Sequence, residues 1–334
     1  MNEFTYAPVV IPTLNRYEHF KRCLDSLERC SGADKTDVYV GLDFPPAEKY
    51  KAGWEKIDAY LAEKEKTNGF KHLYVRRRDH NCGVGGLDSN GALLLREVKA
   101  NYSCYIFTED DNEFAPNFLE YINWGLNEYK DDSSVLAICG CKDIDTHDIN
   151  NNVYILNTIF NAWGYGMWFD RREKRLKYND YNVLMEFVHR TKLSDIFTSK
   201  VLRASSLLYQ VANKDLHGDF LISLLPENEK WCVFPKVNKV RNWGWDGTGT
   251  HGGSPEAFKK YSTLPIDTDI HFEPVIVEDL FNPVILERFR KKYKTSKKTY
   301  IRAAITFLCY KLTGFIPVAN KKSKWCKVKL QKVL

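Results

Sequence analysis

The chain has 334 residues, 44% of them apolar and 14% aromatic, enough to bury one large core, or a main core and a smaller one, without help from disulfides. Its net charge of +6 hides an asymmetry: Arg288 to Leu334 carries fifteen lysines and arginines and no acid, leaving about −9 on the first 287 residues. An acidic body argues against a nucleic-acid surface and confines any anionic partner to the basic end.

Ala7-Pro-Val-Val-Ile-Pro-Thr-Leu-Asn15 reads as a short buried strand that ends in a proline and a polar turn. Behind it Phe20, Cys23, Leu24 and Leu27 recur at helical spacing. Asp37 to Asp43 is a second strand, Trp54 to Leu61 a helix and His72 to Arg76 a third strand. A helix around Gly91 to Val98 then leads to a fourth strand, Tyr102 to Thr108. Strands alternating with helices predict a largely parallel α/β sheet whose ligand site lies beyond the carboxyl ends of its strands. Polar residues stand at those ends: Asn15, Asp43, Arg76 to Arg78, and Glu109-Asp110-Asp111. From about Leu136 the pattern changes to strands mixed with aromatic loops, including Asn161 to Trp168 and Trp231 to Pro235. The nine cysteines are odd in number, scattered and mostly set in apolar strings, which suggests reduced core thiols. With no Cys-x-x-Cys pair, no zinc site is expected. The N-terminus has no basic region followed by a long hydrophobic stretch, so no signal peptide is expected.

Three adjacent carboxylates, Glu109, Asp110 and Asp111, repel one another and need a counter-charge. A divalent cation, Mn²⁺ or Mg²⁺, suits them, because hard cations take carboxylate oxygens and bridge diphosphate oxygens. Arg76, Arg77 and Arg78 precede the glycine loop Asn81-Cys-Gly-Val-Gly-Gly86, in which Gly83, Gly85 and Gly86 would let backbone amides approach a phosphate or sugar. Guanidinium groups match phosphate oxygens, although the loop's spacing is not a dinucleotide fingerprint. Asp219 introduces an apolar run where a helix can hold a general base rigidly, with Asp215 and His217 as rivals for the role. Arg241 to Gly253, rich in glycine and carrying Trp243, Trp245 and His251, has the composition of a lid that closes over a ligand, and His251 can reach a diphosphate or the metal.

Pro8-Val-Val-Ile-Pro-Thr-Leu-Asn-Arg16, Asp43, and Glu109-Asp110-Asp111 with Phe114-Ala-Pro-Asn-Phe-Leu-Glu120 together resemble the GT-A glycosyltransferases. The opening looks like the family 2 enzymes of bacterial surface polysaccharide assembly. The Glu-Asp-Asp block through Leu136-Ala-Ile-Cys139 looks more like the N-acetylglucosaminyltransferase I group, whose later blocks Trp163 to Trp168, Asp219 and Arg241 to Gly253 follow in order. The resemblance implies a GT-A sheet, mostly parallel and flanked by helices, with a mixed acceptor-binding half. It implies an inverting, metal-dependent transfer of a hexose or N-acetylhexosamine from a nucleotide diphosphate sugar, UDP in the first instance, to a glycan hydroxyl. On that footing Asp111 is the metal ligand, Glu109 and Asp110 face the ribose and donor sugar, Asp43 faces the base, and Asp219 is the catalytic base. Pro12, Asn15, Arg77, Gly85, Trp163 and His251 complete the donor site.

Near the end Ile301, Ile305, Leu308, Leu312 and Phe315 recur at helical spacing among Lys294, Lys297, Lys298, Arg302 and Lys311. The run is shorter than the ~20 apolar residues a spanning helix needs. It suits a basic amphipathic helix on an anionic membrane surface, bringing the protein to lipid-linked O-antigen or capsule intermediates. The expected division is a nucleotide-sugar-binding half at 1–135, an acceptor-binding and catalytic half at 136–275 and a membrane-associating tail at 276–334. The expected location is cytoplasmic, peripheral on the inner face of the plasma membrane. A nucleotidyltransferase of sugar phosphates, or a catalytically inactive glycan-binding relative, remains open at this point.

Overall fold

The computed structural model describes residues 5–84, 88–157, 159–176, 181–196, 198–213, 231–249, 252–292, 294–320 and 323–327. They divide into two compact units, Met1–Arg171 with Glu227–Ile285, and Arg172–Pro226 with Leu286–Leu334.

In the first unit the strands are β1 (Val9–Thr13), β2 (Asp37–Leu42), β3 (His72–Arg77), β4 (Cys104–Phe107), β5 (Asn112–Phe114), β6 (Val135–Cys139), β7 (Val153–Asn157), β8 (Tyr165–Trp168), β9 (Trp231–Pro235) and β10 (Val240–Asn242). Eight of them form one sheet in the order β3-β2-β1-β4-β8-β6-β9-β7. The half from β3 to β4 is parallel throughout, and β8 and β7 run against their neighbours in the other half. Helices α1 (Tyr17–Glu28), α2 (Lys51–Lys66), α3 (Asn90–Lys99) and α4 (Phe118–Glu128) connect and flank these strands. This is the mixed α/β architecture with a largely parallel sheet that the alternation of elements predicts.

The local reasons are plain. Val9, Val10 and Ile11 of β1 are fully buried, as a strand flanked by parallel neighbours and covered on both faces requires. Helix α1 turns Phe20, Cys23, Leu24 and Leu27 inward, and each is wholly buried. Each such aliphatic or aromatic side chain contributes roughly 1.5–3 kcal/mol by leaving water. Six of the cysteines are free and buried, the state their apolar surroundings predict.

The short strand β5 lies outside the main sheet and pairs antiparallel with β10, setting Phe114 opposite Val240, Glu113 opposite Arg241 and Asn112 opposite Asn242. This ladder joins the segment after β4 to a segment well over a hundred residues later. A helix, α5 (Phe169–Leu176), leads out of the first unit, and α8 (Pro255–Ser262) lies within its second stretch.

The second unit contains α6 (Tyr181–Arg190), α7 (Ser199–Asn213), α9 (Pro283–Lys292, entering from the first unit), α10 (Lys297–Thr313) and the hairpin β11 (Phe315–Asn320) with β12 (Ser323–Lys327). Its core gathers Leu184, Met185 and Val188 from α6, Val201, Leu207 and Leu208 from α7, Phe307 and Tyr310 from α10, and Ile316 from β11. The helical spacing read through Phe315 stops short. Gly314 takes φ 73° and caps α10, and Phe315 opens a strand. The tail is therefore helix followed by hairpin. Helix α10 buries Ala303, Ala304, Phe307 and Tyr310, whereas Ile301, Ile305 and Leu312 are 56%, 50% and 79% exposed. Among the described residues no helix is long and apolar enough to cross a membrane.

Candidate functional site

The carboxyl ends of β1 and β4 meet at a buried acidic pair. Asp110 and Asp111 are only 6% and 7% exposed, while Glu109 beside them is exposed. The counter-charge at the pair is Arg16, from the turn between β1 and α1. Its Nη2 donates to Asp110 Oδ1 and lies 2.8 Å from Asp111 Oδ2. Thr13 Oγ1 donates to Asp110 Oδ2 at 2.8 Å, and Asn242 Nδ2 donates to Asp111 Oδ1 at 2.7 Å. Three of the four carboxylate oxygens thus accept a hydrogen bond, and the fourth, Asp111 Oδ2, has the Arg16 guanidinium beside it. Burial works against the Arg16 charge, but the two carboxylates outweigh it and hold the guanidinium above its ordinary pKa. Burial pushes the Asp110 carboxyl up, against the pull of Arg16 and helped by the like charge of Asp111. The Nη1 atom of Arg16 is buried with no partner among the described residues.

The glycine-rich loop after β10 is seated on this pair. Trp243 N donates to the Asp111 carbonyl at 2.8 Å, and Gly244 N to Asn242 Oδ1 at 3.0 Å. A Cβ on Gly244 would stand 2.0 Å from Asp111 Oδ2, so only glycine lets the backbone come so close. The stem is fixed from below. Arg241 makes a bidentate pair with Glu113 at 2.7 Å on both arms, Trp243 Nε1 donates to Glu113 Oε2 at 2.8 Å, and the Arg22 guanidinium lies 4.0 Å from the Trp243 ring centroid. Arg241 and the Trp243 indole outweigh burial and hold the Glu113 carboxyl below its usual range. His19 Nε2 approaches Asp246 Oδ2 at 3.1 Å, and Asp246 bridges to Gly253 at the neck of the loop. The expected lid therefore has a tethered stem, Arg241 to Asp246.

The second cluster sits where β2 and β3 end. Asp43 Oδ1 accepts from the backbone N–H groups of Phe44 at 2.9 Å and Cys82 at 2.8 Å. Its Oδ2 accepts from Gly83 N at 3.0 Å and Asn81 Nδ2 at 3.2 Å. Asp43 is thus the clasp of the Asn81–Gly83 turn. The three arginines separate by the alternation of the strand. Arg76 pairs with Glu97 of α3 and Arg77 with Asp58 and Glu65 of α2. Arg78, one residue beyond the strand, donates through Nε to Asn90 Oδ1 at 3.0 Å, and its Nη2 is buried without a partner among the described residues. Phe44, beside Asp43, is 42% exposed.

Pro12 lies within β1 opposite Gly41, and the Asn15 carbonyl accepts from Tyr17 N at 3.1 Å to open the turn into α1. Trp163 packs edge-on to Tyr261 of α8, with centroids 4.9 Å apart, and Tyr261 lies 5.2 Å from Trp245 of the loop, so three half-buried aromatics form a row. Gly85, His251, Asp219 and its rivals Asp215 and His217 lie outside the described residues. Among the described residues no group of three or more His, Cys, Asp and Glu side chains is placed to hold a metal ion. At the acidic pair each carboxylate oxygen has one polar partner, and Arg16 sets one positive charge against two negative ones.

Sequence reasoning passed over Arg16, Asn242 and Gly244. Arg16 follows Asn15 directly, but its partners lie 94 and 95 positions away, and nothing local marks it as their counter-ion. Arg78 carried a usable signal: Arg76 and Arg77 must point to opposite faces of β3, leaving the residue past its end for the site.

No family model matches the chain, and no curated protein matches it. Among solved structures the chain is similar to the mannosyltransferase PcManGT from Pyrobaculum calidifontis, in complex with GDP-Man and Mn²⁺, at 16% identity over 52% of this chain and 47% of that one, with a TM-score of 0.35. It is also similar to S. aureus TarS 1–349 at 12% identity, covering 92% of this chain and 72% of that one, TM-score 0.39. The complex of TarS 1–349 with UDP aligns at 13% identity over 91% and 70% of the two chains, TM-score 0.35. The chain spans about half the length of the mannosyltransferase.

Proposed function

We propose that this protein is an inverting glycosyltransferase of the GT-A kind that moves a hexosyl or N-acetylhexosaminyl group from a nucleotide diphosphate sugar to a glycan hydroxyl. One observation carries the reading. Adjacent parallel strands end in two buried carboxylates, Asp110 and Asp111, and in two arginines, Arg16 and Arg78, each with a buried N–H that has no partner among the described residues. Guanidinium donors suit diphosphate oxygens, and carboxylates accept from ribose and sugar hydroxyls. A nucleotide sugar presents both chemistries in one molecule. The turn clasped by Asp43, with exposed Phe44 beside it, is where the base would lie, and the row Trp163, Tyr261, Trp245 offers apolar faces to a sugar ring. Asp219 is the assigned base for the acceptor hydroxyl, and Mn²⁺ or Mg²⁺ enters as the companion of the donor's diphosphate.

The acceptor we favour is a lipid-linked glycan. The outward face of α10 shows Ile301, Ile305 and Leu312 beside exposed Lys297, Lys298 and Arg302, the pattern of a surface that rests on anionic lipid from the cytoplasmic side. Ile305→Asp should abolish cosedimentation with phosphatidylserine vesicles, and retention of binding would remove this part of the proposal.

Thermal melts with UDP-, GDP-, CMP- and dTDP-sugars, each with and without Mn²⁺, test the main reading, since a ligand that binds only the folded state raises its apparent stability. A shift with one nucleotide sugar names the donor base. No shift with any of them would overturn the assignment.

A further inference from the structure

The amino-terminal ends of β6 and β9 lie at the end of the sheet away from Asp43 and Asp110, because β4, β6 and β9 all run the same way. A cavity of about 280 Å³ opens there, walled by three tied segments. The turn after α4 brings Tyr129 and Asp132, and the buried Arg171 holds that turn by donating to the carbonyls of Tyr129, Lys130 and Val135. The start of β9 brings Trp231, whose backbone N–H donates to the Ser134 carbonyl at 3.2 Å. Asp279 and Leu280 run beside β7, where Ile155 N donates to the Leu280 carbonyl at 2.9 Å and Asn151 Nδ2 to the Glu278 carbonyl at 2.9 Å. Among the described residues the charged side chains that line the cavity are both carboxylates, Asp132 and Asp279. Each spends one oxygen locally: Asp132 Oδ1 accepts from Ser134 N at 3.0 Å and Ser134 Oγ at 2.6 Å, and Asp279 Oδ1 accepts from Phe281 N at 2.8 Å. Burial, helped by the charges of Glu128 and Asp132, pushes the Tyr129 hydroxyl up to about 12, a sign of the negative field at this spot. That field excludes an anion. A neutral sugar ring would gain from the aromatic faces but not from the charge, whereas a cation gains from both, since the faces of tryptophan and tyrosine attract positive charge.

We propose that this cavity is a binding site for a small organic cation, an alkylammonium or alkylguanidinium group that sets its charge against Asp132 and Asp279 and its apolar stem against the rings of Tyr129 and Trp231. The site stands apart from the glycosyltransferase reading: it lies at the other end of the sheet, and neither nucleotide nor sugar enters it. Its walls are joined by backbone and buried side-chain hydrogen bonds, so the ligand meets a surface already in place and little ordering opposes its binding. A free amine and a lysine or arginine side chain of a protein share this chemistry, and the test separates them.

The experiment is a saturation-transfer NMR titration of the full chain with agmatine, n-butylamine, the capped tripeptides Gly-Arg-Gly and Gly-Lys-Gly, and methyl glucoside as the neutral comparison. At least one cation should bind with a dissociation constant of about 1 mM or tighter, and methyl glucoside should bind at least ~10-fold more weakly. Asp132→Asn and Asp279→Asn each keep the oxygen that serves the local turn and lose the charge, so each should weaken the cation about 3-fold and the two together about 10-fold. Trp231→Leu should weaken it about 5-fold. Circular dichroism melts establish that the variants are folded, and if Trp231→Leu is not, the double asparagine variant decides. Tighter binding of agmatine or butylamine than of the peptides assigns a free amine, and the reverse order assigns a protein side chain. No saturation transfer to any of the cations at up to about 10 mM overturns the proposal. So does methyl glucoside binding as tightly as the cations, or a folded double asparagine variant with undiminished affinity.

Discussion

Asp43 at the end of β2 and the pair Asp110–Asp111 at the end of β4 are buried carboxylates two strands apart, satisfied in different ways. Asp43 is held by three backbone N–H groups and one side-chain amide, all neutral dipoles, one from its neighbour Phe44 and the others from the Asn81–Gly83 turn. The pair is held by a long, charged side chain whose second nitrogen lacks a partner among the described residues. Backbone dipoles cannot leave without unfolding the turn, whereas a guanidinium on four rotatable bonds can swing to another anion. One clasp is built of backbone and the other of a single charged side chain.

Substitutions sharpen that contrast. The largest effect is expected of Asp111→Ala, which should abolish the donor-induced rise in melting temperature and lower transfer by about 100-fold or more while the protein still folds. Direct donor binding and product formation would measure it. Next comes Arg16→Ala, which leaves two buried carboxylates without a counter-charge and should cost about 3 kcal/mol in denaturant unfolding at neutral pH. A loss below about 1 kcal/mol would mean that water, not Arg16, screens the pair. Gly244→Ala sets a methyl 2.0 Å from Asp111 Oδ2 and should cost about 2 kcal/mol as the loop stem shifts. Asp43→Asn should cost least, about 1 kcal/mol, because the amide retains one acceptor for the turn. If Asp43→Asn proved as damaging as Arg16→Ala, the distinction between the backbone clasp and the charged one would collapse.

Much of the parallel half was legible in the chain. The four residues of α1 at helical spacing are all buried, and each of the first four strands ends at the polar residue or cluster expected of it. Periodicity works there because each element meets a neighbour adjacent in sequence. In α10 the stripe read as facing a membrane, Ile301, Ile305 and Leu312, is exposed, and the residues that form the helix's core face were not singled out. Phe307 and Tyr310, with the small Ala303 and Ala304 one turn before them, face the interior. A helix apolar on more than one side cannot tell from its own sequence which side finds a partner. Glu109-Asp110-Asp111 stood out as a block, yet only two of its members are buried.

What the amino-acid order determined by itself is the alternation of elements, the buried strands at the centre and the gathering of acids and arginines at the strand ends, all of which follow from local period and neighbour-to-neighbour connection. Tertiary structure decided which charges meet. Arg16 finds Asp110 across 94 positions, and Asn242 finds Asp111 across 131, through the pairing of β5 with β10. A charge's partner is set by distance in space and by the loss of competing water, and neither quantity is written in the local sequence.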